Sequence, residues 1–168
     1  MGTGRFRSFG DGLAWFTDPA EWTAVAGAQL PLCTVLSPRL DPALLTGPYH
    51  PWLRTAFGEM RCWSPTHGVA IAIDPMYHWI TGADYSRDVA NGLPTLPVEP
   101  TILARPKQFD VIDGKKKPLF KRLRRRYGTL RADTYYGLTL PVALGGRVEL
   151  DNFGITPVRG HLLPDDEG

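Results

Sequence analysis

The chain has 168 residues, of which 43% are hydrophobic and 21% charged, with a formal net charge of +2. This balance is typical of a globular protein and excludes a disordered chain or a polycation, while two cysteines are too few for a disulfide framework. No apolar run approaches the roughly 20 residues that span a bilayer and no secretion signal is present, so we predict a cytoplasmic protein, or one assembled in the cytoplasm into a particle.

The beginning of the chain predicts an arm, a strand and a helix in that order. Residues 1–12 combine glycine, arginine and phenylalanine and are expected to form an N-terminal arm. Residues 13–16 are apolar and predict a short buried strand. Asp18 and Glu21 have the spacing of a capping box, which predicts a helix start, and Gly27 is expected to end that helix.

Three further elements are predicted before residue 75. Residues 30–36 are strand-like, and residues 51–57 carry apolar side chains at the spacing of a short helix. Residues 59–74 predict a β-hairpin, because Val69, Ile71 and Ile73 recur at every second position on its return half. Asp74 and Pro75 are expected to end its second strand.

The second half of the chain predicts a basic helix and a second hairpin. Residues 115–127 combine an apolar stripe with many cations, and Pro118 is well placed to open a helix there. Residues 134–158 alternate again, and we predict a C-terminal β-hairpin region with a two-residue turn at Gly145-Gly146.

The remaining segments are predicted to be connections or termini of one domain. Four prolines make residues 91–106 a Pro-rich connection, and residues 161–168 form an acidic tail. The predicted fold class is α+β: a β-rich single domain, residues 1–168, of short, mostly antiparallel strands with two to four short helices and extended termini.

The strongest functional signal is a concentration of cations in the predicted basic helix. Several cations on one surface can bind nucleic-acid phosphates or, equally, an acidic protein neighbour. The third hypothesis is that they form only the solvated face of an amphipathic helix. The candidate partner-binding or nucleic-acid-binding residues are Lys115, Lys116, Lys117, Lys121, Arg122, Arg124, Arg125 and Arg126.

Catalytic signals are weak by comparison. Asp74, His78 and Asp84 lie close together in sequence, and a carboxylate that orients an imidazole is a usual general base. A turn at Asp74 and core packing around His78 explain the same residues without catalysis. No metal-ligand spacing, nucleophile motif or phosphate-binding loop is present, so no metal, cofactor or catalytic residue is predicted.

The high proline content and the lack of catalytic motifs favour a non-enzymatic structural or interaction subunit of a larger assembly, for example a phage virion component. Such a subunit would be an oligomer or part of a complex, and its basic helix would dock an acidic protein partner. The alternative is a nucleic-acid-binding accessory protein. A small enzyme that uses Asp74 and His78 is the least favoured hypothesis, and no membrane partner is expected.

Overall fold

A computed structural model describes residues 8–34, 40–93 and 106–163. Over these residues the chain has the predicted α+β fold, with a larger, antiparallel sheet of six strands in chain order and a smaller sheet of two. The larger sheet consists of β1 (Ser8–Phe9), β2 (Ala14–Phe16), β3 (His50–Thr55), β4 (Met60–Ser64), β5 (Gly68–Asp74) and β6 (Trp79–Gly82). The smaller sheet pairs β7 (Thr134–Leu138) with β8 (Phe153–Pro157), and the helices are α1 (Pro19–Thr34), α2 (Ser86–Ala90) and α3 (Phe120–Tyr127).

Helix α1 is longer than the sequence predicts, and it includes residues 30–34 of the strand expected at residues 30–36, whose last two residues lie outside the described ranges. Gly27 lies inside the helix instead of ending it. The reason is tertiary, because the buried residues recur at helical spacing across Gly27 and face the larger sheet. These buried residues are Trp22, Val25, Ala26, Gln29 and Cys33.

The predicted helix at residues 51–57 is also wrong, since this segment contributes β3. Two neighbours decide the outcome: β2 and β4 both pair with β3 in antiparallel register. Isolated sequence spacing cannot detect such partners. By contrast, the hairpin predicted at residues 59–74 is confirmed as β4 and β5, and β5 ends at Asp74 as expected.

Two apolar clusters form the core of the described residues. Leu53 belongs to the cluster that includes α3, whereas the next residue, Arg54, lies over the rings of Trp15 in β2 and Trp22 in α1. Successive side chains of a strand point to opposite faces, so Leu53 and Arg54 face different sides of the larger sheet. Tyr135 joins the α1 cluster and Tyr136 joins the α3 cluster, and strand β7 therefore contributes to both.

Strands β7 and β8 confirm a hairpin within residues 134–158, but its predicted turn is wrong. The strands separate after the Leu138–Phe153 pair, and a long loop with two short 3₁₀ turns connects them. Gly145 and Gly146 lie within that loop. Gly145 has a φ of 88°, which shows that the glycine signal marks a turn but not the hairpin turn.

The predicted terminal and connecting segments are described only in part. From Ser8 onward the predicted N-terminal arm forms β1 and a 3₁₀ turn at Gly10–Gly12. Most of the Pro-rich connection and of the acidic tail falls at residues 94–105 and 164–168, outside the described residues. The assignment of residues 1–168 to a single domain stays a prediction.

Candidate functional site

Helix α3 is shorter than the predicted basic helix of residues 115–127, because it begins only at Phe120. The Asp110 carboxylate accepts hydrogen bonds from the backbone N–H groups of Leu119 (3.2 Å) and Phe120 (2.9 Å), which satisfies donors at the helix start. Phe120 and Leu123 are buried in the α3 cluster. The apolar stripe therefore packs as predicted, while residues 115–119 lie outside the helix.

Residues 115–117 form a tight turn of three exposed lysines, here called the lysine turn. Its backbone is organised by the almost fully buried Asp113, whose carboxylate accepts from the N–H groups of Lys115 (2.9 Å) and Lys117 (2.8 Å). Lys116 has a φ of 59°, in the left-handed region that favours glycine. A strained turn thus presents three long cationic side chains to solvent.

Arg122 completes the anchor of the lysine turn. Its guanidinium lies 2.5 Å from the second carboxylate oxygen of Asp113. This contact and the backbone N–H groups of Lys117 and Lys115 hold the pKa of Asp113 below its ordinary value. The carboxylate form that supports the turn is therefore favoured over the protonated form.

Three of the eight predicted binding cations are already paired within the chain. Besides Arg122, Arg124 pairs with Asp11 at 3.5 Å, and Arg126 pairs with Asp151. The helix itself is thus a weaker cationic surface than its sequence indicates. Within the part of the chain that the structure describes, no carboxylate forms an ion pair with the other five predicted binding cations: Lys115, Lys116, Lys117, Lys121 and Arg125.

Residues 139–149 form a hydrogen-bonded loop with two exposed leucines between β7 and β8, here called the leucine loop. Leu144 is 71% exposed and Leu140 is 46% exposed. Asn152 fastens the base of the loop: its side-chain amide accepts from the Leu140 N–H and donates to the carbonyls of Leu140 and Arg147, all at 2.9 Å. This surface was not predicted from the sequence, although two leucines beside a Gly-Gly pair could have indicated it.

The shape of the leucine loop depends on Gly146. The Pro141 carbonyl accepts hydrogen bonds from the N–H groups of Leu144 (3.0 Å) and Gly146 (2.9 Å). A Cβ atom added to Gly146 would lie 1.8 Å from the Leu140 oxygen. Only glycine permits this close backbone approach.

The lysine turn and the leucine loop are neighbours. A Cβ atom added to Gly114, which precedes the turn, would lie 3.8 Å from a carboxylate oxygen of Glu149, at the end of the loop. Glu149 pairs with Arg147 at 3.7 Å, so its charge is opposed locally. The lysine turn therefore lies next to the C-terminal end of the leucine loop, at Gly114 and Glu149.

The residues proposed for catalysis are not brought together as a catalytic group. The Asp74 carboxylate accepts from the backbone N–H groups of Met76 (2.9 Å) and Tyr77 (3.3 Å), which makes it a turn-stabilising group. The Asp84 carboxylate lies 3.1 Å from the imidazole of His67 and is paired with that side chain. The geometry therefore favours a turn-stabilising role for Asp74 over a catalytic role.

Asp74 is expected to make the stability of the protein depend on pH. Burial, followed by the nearby Glu59 carboxylate, raises the pKa of Asp74 to about 6. Because the folded state holds this proton more tightly than the unfolded state, the stabilising contribution is complete below the ordinary pKa and is lost as the pH rises through about 6. Asp74→Asn keeps the acceptor oxygen without the charge.

We therefore expect Asp74→Asn to raise the free energy of unfolding at pH 7.5 by about 1–3 kcal/mol. Urea unfolding at pH 4.5 and pH 7.5 measures the effect, and the gain should be smaller at the lower pH. Asp88→Asn on α2 is the matched control and should change neither value. An equal gain at both pH values would contradict the electrostatic explanation.

A cavity of about 120 Å³ lies where α1, the turn after β5 and strand β7 meet. Leu32, Met76, His78 and His161 are among its lining residues. The cavity is much smaller than the roughly 300–1,000 Å³ of ordinary small-molecule pockets. It does not have the size expected of a substrate or cofactor site.

Two further features limit the kind of site that the described residues can form. Within residues 8–34, 40–93 and 106–163, no group of three His, Cys, Asp or Glu side chains gathers as a metal site requires. Among those same residues, no helix combines the length and the apolar character needed to cross a bilayer. Cys33 and Cys62 are both buried thiols and do not form a disulfide.

A solved structure shares the fold of this chain. The chain is similar to the crystal structure of Atu4351 from Agrobacterium tumefaciens, with a TM-score of 0.66 and 22% sequence identity. The similarity covers 90% of this chain but only 65% of that chain, so this protein spans somewhat less than two thirds of its length. At this identity the likeness shows a shared α+β fold. A search of curated protein sequences finds no match.

A family comparison is more specific about function. Residues 103–163 match the sequence model of the family described as type VI secretion system immunity protein Tdi1, C-terminal. The match covers a little over a third of the chain, and it includes the lysine turn, α3, the leucine loop and both strands of the smaller sheet.

This match corrects the functional predictions from sequence. The hypotheses of a structural subunit such as a virion component, and of a nucleic-acid-binding accessory protein, are wrong because the matched family is one of immunity proteins. The nucleic-acid hypothesis rested on a local cluster of cations, and the sequence did not reveal their partners within the chain. Arg122, Arg124 and Arg126 each pair with a carboxylate of the same chain.

Proposed function

We propose that this protein is an immunity protein that binds a toxin delivered by a type VI secretion system and so protects the cell that makes both. The observation that carries the proposal is the match of residues 103–163 to the immunity-protein family. A protein partner therefore replaces nucleic acid as the ligand. The predicted cytoplasmic location remains part of this proposal.

The geometry supports a binding role for the matched segment. Its exposed lysine turn and leucine loop are held in place by hydrogen bonds to Asp113 and Asn152. A surface that is ordered before binding loses less conformational entropy in the complex, which favours tight association. Inhibition by tight binding also requires no catalytic group in the inhibitor.

The test is a protection assay in a bacterial host that lacks the secretion system. Each type VI toxin of the bacterium that encodes this chain is expressed alone and together with this protein, and viable cells are counted. We expect co-expression to restore growth for one toxin, with a stable complex recovered by gel filtration. Failure to protect against every toxin would overturn the proposed function.

A further inference from the structure

We propose that the lysine turn and the leucine loop form the docking surface for the toxin, and that this surface fits an acidic rim around an apolar recess on the partner. The inference rests on the proposed immunity function and adds where and by what chemistry the partner binds. It is carried by the exposure, rigidity, charge and adjacency of the two segments.

The leucine loop has the properties of an apolar anchor. Leu144 is 71% exposed, the highest exposure among the large hydrophobic side chains that the structure describes as exposed. The backbone around it is held by hydrogen bonds, because Pro141 accepts two from backbone N–H groups and Asn152 makes three more across the loop base. Contiguous exposed apolar patches mark interaction sites, and Leu140, which is 46% exposed, lies in the same loop as Leu144.

The lysine turn supplies the charge. Lys115, Lys116 and Lys117 are all exposed, and their turn is shaped through the backbone by Asp113, so their side chains take no part in holding it. The left-handed φ of 59° at Lys116 is a strained conformation for lysine. Strain of this kind is retained mainly where the presented side chain has a use.

The sign of the surface decides the chemistry of the occupant. The acidic residues beside the loop are each paired, Glu149 with Arg147 and Asp151 with Arg126. The unpaired charges beside the loop are those of the three lysines in the lysine turn, and they are positive. An acidic rim on the toxin complements them, and an apolar recess accommodates Leu144.

The test uses the toxin identified by the protection assay, in an inactive form for binding measurements, and two variants of the full-length chain. Leu144→Asp places a charge where an apolar contact is expected, and the combined variant K115E/K116E/K117E reverses the lysine turn. Both changes are at exposed side chains, so folding should be preserved, which circular dichroism and thermal melting verify. Leu93→Asp and Arg87→Glu are matched controls at exposed positions outside this surface.

We expect Leu144→Asp to weaken toxin binding about 100-fold and the lysine reversal to weaken it about 10-fold or more, with the second effect shrinking at high salt. Both controls should bind like the unchanged chain. Protection by the unchanged chain together with undiminished binding by both variants would overturn the docking surface while leaving the immunity function intact. If the unchanged chain protects against no toxin, the immunity function fails and the docking proposal falls with it.

Discussion

Replacing Arg54 with alanine is expected to lower the free energy of unfolding by about 3–5 kcal/mol. Arg54 is a charged side chain in β3 that is only 1% exposed. Its guanidinium donates to the carbonyl of Ala132 at 2.8 Å and to that of Arg131 at 3.2 Å. It also lies 4.8 Å from the ring centre of Trp15 and 5.1 Å from that of Trp22.

The expected loss of stability is large because Arg54 connects two parts of the fold. The two carbonyls precede β7, so the side chain connects the larger sheet to the segment that matches the immunity family. Burial lowers the pKa of Arg54 to about 10, against the opposing influence of the Glu21 and Asp133 carboxylates, and the side chain therefore remains charged at neutral pH. Alanine would leave a cavity and two carbonyls without their donor.

Urea unfolding at pH 7.5 measures this prediction. Arg54→Met fills most of the volume without restoring the donors, so its stability should fall between that of Arg54→Ala and the unchanged chain. Arg87→Ala at an exposed site on α2 is the matched control and should change stability by less than about 0.5 kcal/mol. A loss below about 1 kcal/mol for Arg54→Ala would show that Arg54 does not hold the two parts of the fold together.

Replacing Gly146 with alanine is expected to disrupt the leucine loop and to lower the free energy of unfolding by about 2–4 kcal/mol. The added Cβ would meet the Leu140 oxygen at 1.8 Å and the Pro141 oxygen at 2.8 Å, and both are backbone atoms that cannot swing away. Relief of the clash requires breaking the hydrogen bond from the Gly146 N–H to Pro141. Toxin binding should weaken as well, because Leu144 would lose its fixed position.

Gly154→Ala in β8 is the matched control. No atom lies within 4 Å of a Cβ built on Gly154, so this variant should be as stable as the unchanged chain, within about 0.5 kcal/mol. Hydrogen exchange locates the damage, and we expect loss of protection at residues 139–149 in Gly146→Ala alone. Unchanged protection there, together with unchanged stability, would mean that the loop is not rigidly built.

Only part of the candidate site could be predicted from the sequence. The cluster of cations was visible, and the lysine turn remains within the proposed surface. The pairing of Arg122, Arg124 and Arg126 was not visible, because Asp113, Asp11 and Asp151 lie at different distances along the chain and meet these arginines only in the folded state. The assignment of all eight cations to partner binding therefore stays a prediction.

The leucine loop could not be predicted from the sequence either, because the same residues fit a different local structure. Alternating apolar residues up to Leu144 and the Gly145-Gly146 pair resemble a strand and a two-residue turn. The structure instead ends β7 at Leu138, and Asn152 closes the loop through three hydrogen bonds. A contact across 12 residues between Asn152 and Leu140 decides which leucines are exposed.

By itself, the sequence determined the α+β class, the hairpin of β4 and β5, the end of β5 at Asp74 and the apolar stripe of α3, because local periodicity and turn residues encode these features. The tertiary structure alone decided that residues 30–34 continue α1, that residues 50–55 form a strand and that Leu144 is presented to solvent. In each of these cases the deciding partner, a sheet face, a neighbouring strand or a distant side chain, comes from elsewhere in the chain. Long-range burial and pairing outweigh the small local preferences that sequence reading detects.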